Sequence, residues 1–383
     1  NSQTINLMKL ILHIGTHKTA TTTIQHFLAL NRKNLLKNGI LYPHNHNSAY
    51  YMNNLASQLA NNKSEETREY MKKSFKKAHN LEMDTVVISG ESFYAMTGFF
   101  KVIAGKELNK KEYFIYEEQF IRTFKEFCLL FDDIKIFCAL RSQEEYANSL
   151  YNQLVKNCYG IDYSYSLFLQ KIKFILDYKK HIHLWEKYFG KSNMNIVHYE
   201  KIRSNPIKFF CDFCFEQKLK DCNFDLKIHS NKRLSRDILE FKKIQNCKKI
   251  SRAKRYISIQ PYHQLSYEYP DKKNWQIFSS LAERKKFFKY YDKGNAILTN
   301  DYNLDELKSI TEFNESSYLG LDNRKYMAIE KRLNNLLRSP ENIIEFFIRE
   351  FLNKLIKFFP IFDKFLIPIR SFRNYIRLKI EKW

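Results

Sequence analysis

Glycine and proline are scarce in this chain, at 9 and 7 of 383 residues. That scarcity excludes collagen-like repeats and long flexible linkers. Uncharged apolar runs of about 18 residues are missing as well, so no membrane-spanning helix is expected. The sequence also shows no internal repeat.

Cysteine is sparse too, with 7 residues, an odd number that lacks the spacing of a disulfide framework. The one close pair, Cys211 and Cys214, lies in an apolar stretch with helical periodicity. No second pair or matching histidines complete a zinc site, so we expect no metal. Reduced thiols, and the lack of a charged-then-apolar segment at the start of the sequence, favour a cytoplasmic location.

Acidic residues are too few to balance the basic ones. The chain has 41 Asp and Glu residues and 64 Lys and Arg residues, so its formal net charge is +23. Such a surface attracts polyanions: nucleic acid, an acidic glycan or an anionic membrane face. No aromatic signature of an RNA-binding module occurs, and we expect no nucleic acid partner. A hydrophobic content of 44% and an aromatic content of 16% predict a folded protein.

The rest of the chain is organised around residues 10–28. The apolar run from Leu10 to Ile14 predicts a buried strand, and the apolar spacing after Thr21 predicts a helix. A lysine and several hydroxyls lie between them, at the helix N-terminus, where backbone N–H groups and the helix dipole favour an anion. The candidate ligands of this loop are Gly15, Thr16, Lys18, Thr19, Ala20, Thr21, Thr22 and Thr23.

The loop differs from a nucleotide P-loop, in which lysine follows the second glycine. Here Lys18 lies inside the turn, and Ala20 stands where that glycine would be. The arrangement resembles the 5′-phosphosulfate loop of sulfotransferases that use 3′-phosphoadenosine 5′-phosphosulfate (PAPS), where an apolar strand runs into Lys-Thr/Ser-Gly-Thr-Thr/Ser. His17 replaces the proline common before the lysine. Ala20 also departs from the family, because a residue with a Cβ resists a positive φ.

A second signature of the same family follows the predicted strand Asp133–Leu140. Arg141 comes directly after this strand, and Ser149 lies two turns into a helix that Ser142 and Glu145 begin. This order resembles the segment that binds the 3′-phosphate of the donor in sulfotransferases. The planar guanidinium fits a phosphate through two hydrogen bonds. A solvated ion pair at the sheet edge is the alternative.

The segment Thr85–Ser89 predicts another strand, and Glu91 follows it at the edge where ligands of open α/β sheets bind. By resemblance, the residue at this place takes the proton of the acceptor hydroxyl. Glu91 is therefore the candidate base, with His13 and His17 in reserve. The alternative is a solvated glutamate that caps the next helix.

The likeness extends, more faintly, over residues 9–303. The predicted strand Met194–Tyr199 runs into Glu200. Bacterial members of the family carry a Tyr-Glu pair at this place, and we expect a structural role for it. Lys232 and Arg233 lie in a stretch that follows the last strand in these relatives, where one of the two would reach the 3′-phosphate. A charged surface loop is the alternative for this arginine. Residues 295–302 resemble the closing helix of the family.

The resemblance implies an α/β fold with a central, mostly parallel sheet flanked by helices, a P-loop-like nucleotide-binding core and a helical C-terminal extension. It also implies PAPS as the donor, no metal, and transfer of a sulfuryl group to an acceptor hydroxyl. The catalytic residues would be Lys18, Glu91 and His17. The donor would be bound by Gly15, Thr16, Lys18, Thr19, Ala20, Thr21, Thr22, Thr23, Arg141, Ser149 and Arg233.

We predict that the sulfotransferase domain spans residues 8–330 and that a basic amphipathic extension spans residues 331–383. From Ile343 to Phe359 the apolar residues fall on one helical face and the basic ones on the other. Such a helix would lie on an anionic membrane, at its inner face, or dock on the protein's own core.

The acceptor is expected to be a sugar hydroxyl of a bacterial cell-surface glycan or its precursor, or the hydroxyl of a small molecule. Two other functions stay open. A kinase-like P-loop phosphotransferase is disfavoured by the displaced lysine and by the lack of a clear magnesium-binding aspartate at a strand end. A non-catalytic protein that binds polyanions or membranes would explain the charge but not the two phosphate motifs.

Overall fold

A computed structural model gives the structure of the chain, and it describes most of the residues before position 340. The described residues are 7–43, 50–61, 64–95, 108–156, 161–215, 219–224, 233–248, 259–271, 278, 280–305, 307 and 320–339.

The described elements alternate between strands and helices over the first two hundred residues. The strands are β1 (Lys9–His13), β2 (Ile40–Leu41), β3 (Thr85–Ser89), β4 (Asp133–Leu140) and β5 (Met194–His198). The helices are α1 (Thr21–Leu30), α2 (Arg32–Lys37), α3 (Tyr50–Ala60), α4 (Ser64–Asn80), α5 (Lys110–Cys128), α6 (Gln143–Lys156), α7 (Tyr165–Ile172), α8 (Tyr178–Phe189), α9 (Tyr199–Ile202), α10 (Pro206–Cys214), α11 (Arg236–Asn246), α12 (Ile259–Glu268), α13 (Leu281–Lys289), α14 (Asp292–Tyr302) and α15 (Asn323–Leu337).

The five strands form one parallel sheet in the order β2-β3-β1-β4-β5. The central strand β1 is buried on both faces, which is why it reads as a continuous apolar run. His13 at its end is in register with Ser89 of β3 and with Phe137 of β4. The carboxyl ends of β1 and β3 therefore lie side by side, and β4 continues past them on the other flank.

One face of the sheet is covered by α1 and α10. Ile11, Val87 and Phe137 from the three central strands share a buried cluster with Phe27 of α1 and Phe210 of α10. The ring of Phe210 lies 5.4 Å from the ring of Phe137. This cluster packs α1 against the sheet, and because the loop after β1 leads into α1, the start of α1 lies at the edge of the sheet that carries the loop.

The chain forms two compact units. The first takes its described residues from positions 1–150, 165–229 and 280–312 and contains the whole sheet. The second takes its described residues from positions 151–164, 230–279 and 313–383. In this second unit the ring of Phe241 on α11 lies 5.0 Å from Tyr326 on α15 and 6.3 Å from Tyr262 on α12.

The predicted fold class is confirmed, with a helix-flanked parallel sheet and a strand-loop-helix at its centre. The predicted strands Thr85–Ser89 and Asp133–Leu140 are confirmed at both ends. Beyond the sheet, the C-terminal region is helical where it is described, in α15. The amphipathic helix predicted over residues 343–359 lies outside the described residues, and the division at residue 330 stays a prediction.

Within the described part of the chain, no helix has the length and apolar character needed to cross a membrane.

Candidate active site

Backbone hydrogen bonds hold the loop after β1 against β4. The N–H of Ile14 donates to the carbonyl of Phe137 at 3.0 Å. Two residues later, the N–H of Thr16 donates to the carbonyl of Ala139 at 3.3 Å. The chain thus continues along β4 beyond the end of β1 before it turns back into α1.

Two residues of this turn have a left-handed backbone, Lys18 with a φ of 69° and Ala20 with a φ of 60°. Ala20 is the N-cap of α1, and its carbonyl accepts the N–H of Ile24 at 3.2 Å. The alanine therefore adopts a conformation that glycine would adopt without strain. For a residue with a Cβ this conformation costs about 1–2 kcal/mol.

Two threonine hydroxyls of the loop donate hydrogen bonds within the protein, and the other three threonines lie at the start of α1. Thr16 Oγ1 donates to a β4 carbonyl at 3.0 Å, and Thr19 Oγ1 donates to the Thr16 carbonyl at 2.6 Å. Both side chains are fully buried, so these hydroxyls brace the loop. Thr21 is buried at the start of α1, whereas Thr22 is exposed and Thr23 is half-buried.

Gly15 is required by the close approach of His13. A Cβ at Gly15 would lie 2.9 Å from His13 Nε2 and 3.1 Å from Thr21 Cγ2. Real Cβ atoms do not come that close to a ring nitrogen. The imidazole of His13 therefore packs directly under the backbone of the predicted anion-binding loop.

His13 is fully buried, and its Nδ1 lies 2.7 Å from Ser89 Oγ on the neighbouring strand. Burial lowers its pKa to about 4, although the negative charge of Glu91 acts in the opposite direction. The ring is consequently neutral at neutral pH. His13 Nε2 has no hydrogen-bond partner among the residues that the structure describes.

Lys18 lies within electrostatic reach of the two other residues that the sequence singled out. Burial lowers the pKa of Lys18, the positive charge of Arg141 lowers it further, and the negative charge of Glu91 raises it. His17 behaves similarly: burial lowers its pKa, Glu91 opposes the shift and Lys18 adds to it. Glu91, Arg141 and His17 therefore all lie within electrostatic reach of Lys18.

Glu91 begins a short 3₁₀ turn, Glu91–Phe93, just after β3. Two amide side chains donate to its carboxylate: Gln25 Nε2 lies 2.9 Å from Oε2, and Asn53 Nδ2 lies 3.1 Å from Oε1. Neither amide was predicted from the sequence, because the two residues are 66 and 38 positions away from Glu91. Gln25 carried a usable signal, since it interrupts the apolar face of α1.

Arg141 follows β4 directly and is held by two carboxylates. Its Nη2 lies 2.9 Å from Glu145 Oε2, and its Nε lies 3.8 Å from Glu200 Oε1. The guanidinium carbon is 5.3 Å from the centre of the Tyr199 ring. The structural role expected for the Tyr199-Glu200 pair therefore includes fixing this arginine.

Ser149 is half-buried on α6, in the first unit. The start of this helix agrees with the prediction, since the N–H of Glu145 donates to Ser142 Oγ at 3.3 Å. Arg233 belongs to the second unit and is exposed. Its Nη2 lies 3.8 Å from Asp271 Oδ2. Its role toward a 3′-phosphate stays a prediction.

No group of three or more histidine, cysteine or carboxylate side chains suited to a metal occurs among the described residues. Cys211 and Cys214 are buried on α10. This agrees with the interpretation that their segment is the apolar face of a helix. Burial raises the pKa of both thiols.

Comparison with known proteins finds similarity to a family and to a solved structure. The family model described as "Sulfotransferase domain" matches residues 9–215, a span that includes every element of the site in the first unit. A sulfotransferase from Alicyclobacillus acidocaldarius, known from its crystal structure, is similar at a TM-score of 0.41 and 10% sequence identity, covering 77% of this chain and 96% of its own. No curated protein matches the chain.

The left-handed backbone at Ala20 yields a prediction with a matched control. We expect Ala20→Gly to raise the free energy of unfolding by about 0.5–1 kcal/mol, because the backbone strain relieved exceeds the entropy that glycine adds to the unfolded chain. Ala29→Gly, within α1, should lower it by about 1 kcal/mol. Urea denaturation measures both, and a loss of stability in both variants would contradict the assigned backbone conformation.

Proposed function

Because the chain belongs to the sulfotransferase domain family, we propose that it transfers the sulfuryl group of PAPS to an acceptor hydroxyl. The observation that supports this most directly is the convergence of Lys18, Glu91 and Arg141 where three adjacent parallel strands end. Two cations and one carboxylate at such an edge suit an anionic donor and a hydroxyl that must lose a proton.

The donor would lie across the ends of β1 and β4. Lys18 and the N–H groups at the start of α1, with Thr21 and Thr22, would bind the 5′-phosphosulfate. Arg141 and Ser149 would bind the 3′-phosphate, since a guanidinium offers a phosphate two parallel hydrogen bonds. The influence of Arg141 on the pKa of Lys18 supports this division, because two cations within electrostatic reach of one another favour a multiply charged anion between them.

In the reaction, the acceptor oxygen forms a bond to sulfur while the bond from sulfur to the bridging oxygen of the donor breaks. Adenosine 3′,5′-bisphosphate leaves with the electron pair, and Lys18 stabilises the charge on its 5′-phosphate. Glu91 accepts the proton of the hydroxyl. Positioning and fixed charge supply the rate enhancement, as in phosphoryl transfer.

Glu91 suits the role of base better than His13. The Nδ1 atom of His13 is within hydrogen-bond distance of Ser89 Oγ. The Nε2 atom of the same ring is buried under Gly15. Glu91 and His17 are both half-buried and therefore nearer to solvent. His17 remains the reserve base.

For the acceptor, we propose a sugar hydroxyl of a cell-surface glycan or its precursor, with the reaction on the cytoplasmic side of the membrane. The formal charge of +23 supports an anionic polymer or lipid-linked substrate near an anionic surface. The hydroxyl of a small molecule is the other candidate.

Calorimetric titration with adenosine 3′,5′-bisphosphate, compared with ATP, tests the donor assignment. We expect the bisphosphate to bind selectively and Arg141→Ala to weaken it by about 10-fold or more, because a charge-assisted bidentate contact is lost. Arg68→Ala, an exposed arginine on α4, is the matched control and should change nothing. Arg233→Ala decides whether that residue takes part. Equal binding of ATP would favour a kinase-like enzyme, and salt-sensitive binding without preference would favour a polyanion-binding protein.

Glu91→Gln tests the base. We expect conversion of PAPS to adenosine 3′,5′-bisphosphate, with a panel of monosaccharides, glycan fragments and phenols as acceptors, to slow by about 100-fold or more. The amide is isosteric with the carboxyl group, so affinity for the bisphosphate should stay the same. Unchanged turnover would transfer the role of base to His17.

A further inference from the structure

The carboxylate of Glu91 has a symmetrical set of neighbours. One amide donates to each of its two oxygens, Gln25 to Oε2 at 2.9 Å and Asn53 to Oε1 at 3.1 Å. No ion pair of Glu91 occurs among the described residues. A carboxylate held by neutral donors keeps its charge available, whereas a cation in direct contact would compete for the proton that a base must accept.

The orientation of each amide follows from its second hydrogen bond. The N–H of Ser92 donates to Asn53 Oδ1 at 3.2 Å, so the NH₂ group of Asn53 must be the end that faces Glu91. Gln25 Nε2 also lies 3.4 Å from the Ser89 carbonyl, which can only accept. Both amides are therefore donors to the carboxylate.

The fold brings these amides to Glu91 from separate helices. Gln25 lies on the buried face of α1 and is only 2% exposed. Asn53 lies on α3, which approaches the end of β3 closely at Gly90. A Cβ at Gly90 would lie 3.0 Å from Met52 Cβ and from the ring of Phe93, so the glycine permits this approach.

We propose that Gln25 and Asn53 are positioning residues that hold the carboxylate of Glu91 in place and aim it at the acceptor hydroxyl. This inference rests on the role of Glu91 as base in the proposed function. Each amide satisfies one oxygen from the protein side, which leaves the remaining lone pairs for the proton of the acceptor. Because Gln25 is on the helix that begins at the donor loop, it also ties the base to that loop.

The test uses an isosteric change. Asn53→Asp keeps an oxygen for the N–H of Ser92 but replaces the donor facing Glu91 with a second carboxylate, about 3 Å away, and two carboxylates so close resist ionising together. We expect the titration midpoint of the Glu91 carboxyl to rise by about one pH unit or more. Asn53→Ala removes the hydrogen bond to Glu91 and the acceptor of the Ser92 N–H but adds no charge, so it should raise the midpoint by less.

The midpoint is measured by ¹³C NMR of protein labelled at the glutamate carboxyl carbon, with Glu91→Gln to identify the resonance. Asn61→Asp, an exposed asparagine just after α3, is the matched control and should leave the midpoint unchanged. In the transfer assay, Asn53→Asp should move the acidic limb of kcat/KM to higher pH without changing the KM for PAPS. An unchanged Glu91 midpoint in Asn53→Asp would overturn the proposal.

The outcome of this experiment can be told apart from a failure of the proposed function. The carboxyl titration needs neither donor nor acceptor, so it decides the contact even if adenosine 3′,5′-bisphosphate does not bind. If Asn53→Asp lost affinity for the bisphosphate together with its fold, the amide would be structural, and the inference would be wrong while the donor assignment stood.

Discussion

The parallel pairing of β1 with both β3 and β4 is the constraint on which the site depends. Since the strands run in one direction, their carboxyl ends meet at one edge, and the residues after them meet there as well. Lys18, Glu91 and Arg141 are far apart in sequence, yet each follows one of these strands. The cluster beneath them, built from β-strand side chains and from Phe27 and Phe210, holds α1 over the same edge.

Several features of the loop are costly for stability, and all of them lie at this edge. Lys18 and Ala20 have left-handed backbones, and Lys18 is partly desolvated beside Arg141. His13 is buried under Gly15, and its Nε2 has no hydrogen-bond partner in the part of the chain that the structure describes. Strain and buried polar groups commonly collect where a protein binds or transforms a ligand. A multiply charged anion entering the loop would relieve the repulsion between the two cations, and the negative charge of Glu91 partly balances it beforehand.

The sequence predicted the strands, the start of α1 and the strand-end residues, because apolar runs and turn residues are local signals. It also predicted that an alanine would resist the conformation needed at Ala20, whereas the surrounding hydrogen bonds impose that conformation. The partners of Glu91 and Arg141 could not be found in the same way. Asn53 and Glu200 are far from these residues in sequence, and only the tertiary arrangement shows what they contact. Glu145 is four residues after Arg141, and its position at the start of a helix gave no sign of this ion pair.

The most direct test of the proposed donor site is a crystal structure with adenosine 3′,5′-bisphosphate bound. We expect the 5′-phosphate at the loop after β1, within hydrogen-bond distance of Lys18 Nζ, and the 3′-phosphate on the guanidinium of Arg141 and the hydroxyl of Ser149. The carboxylate of Glu91 should face the side of the 5′-phosphate from which the sulfuryl group has been transferred. It should still accept hydrogen bonds from Gln25 and Asn53. A nucleotide bound away from the ends of β1 and β4, or with its two phosphates exchanged, would contradict it.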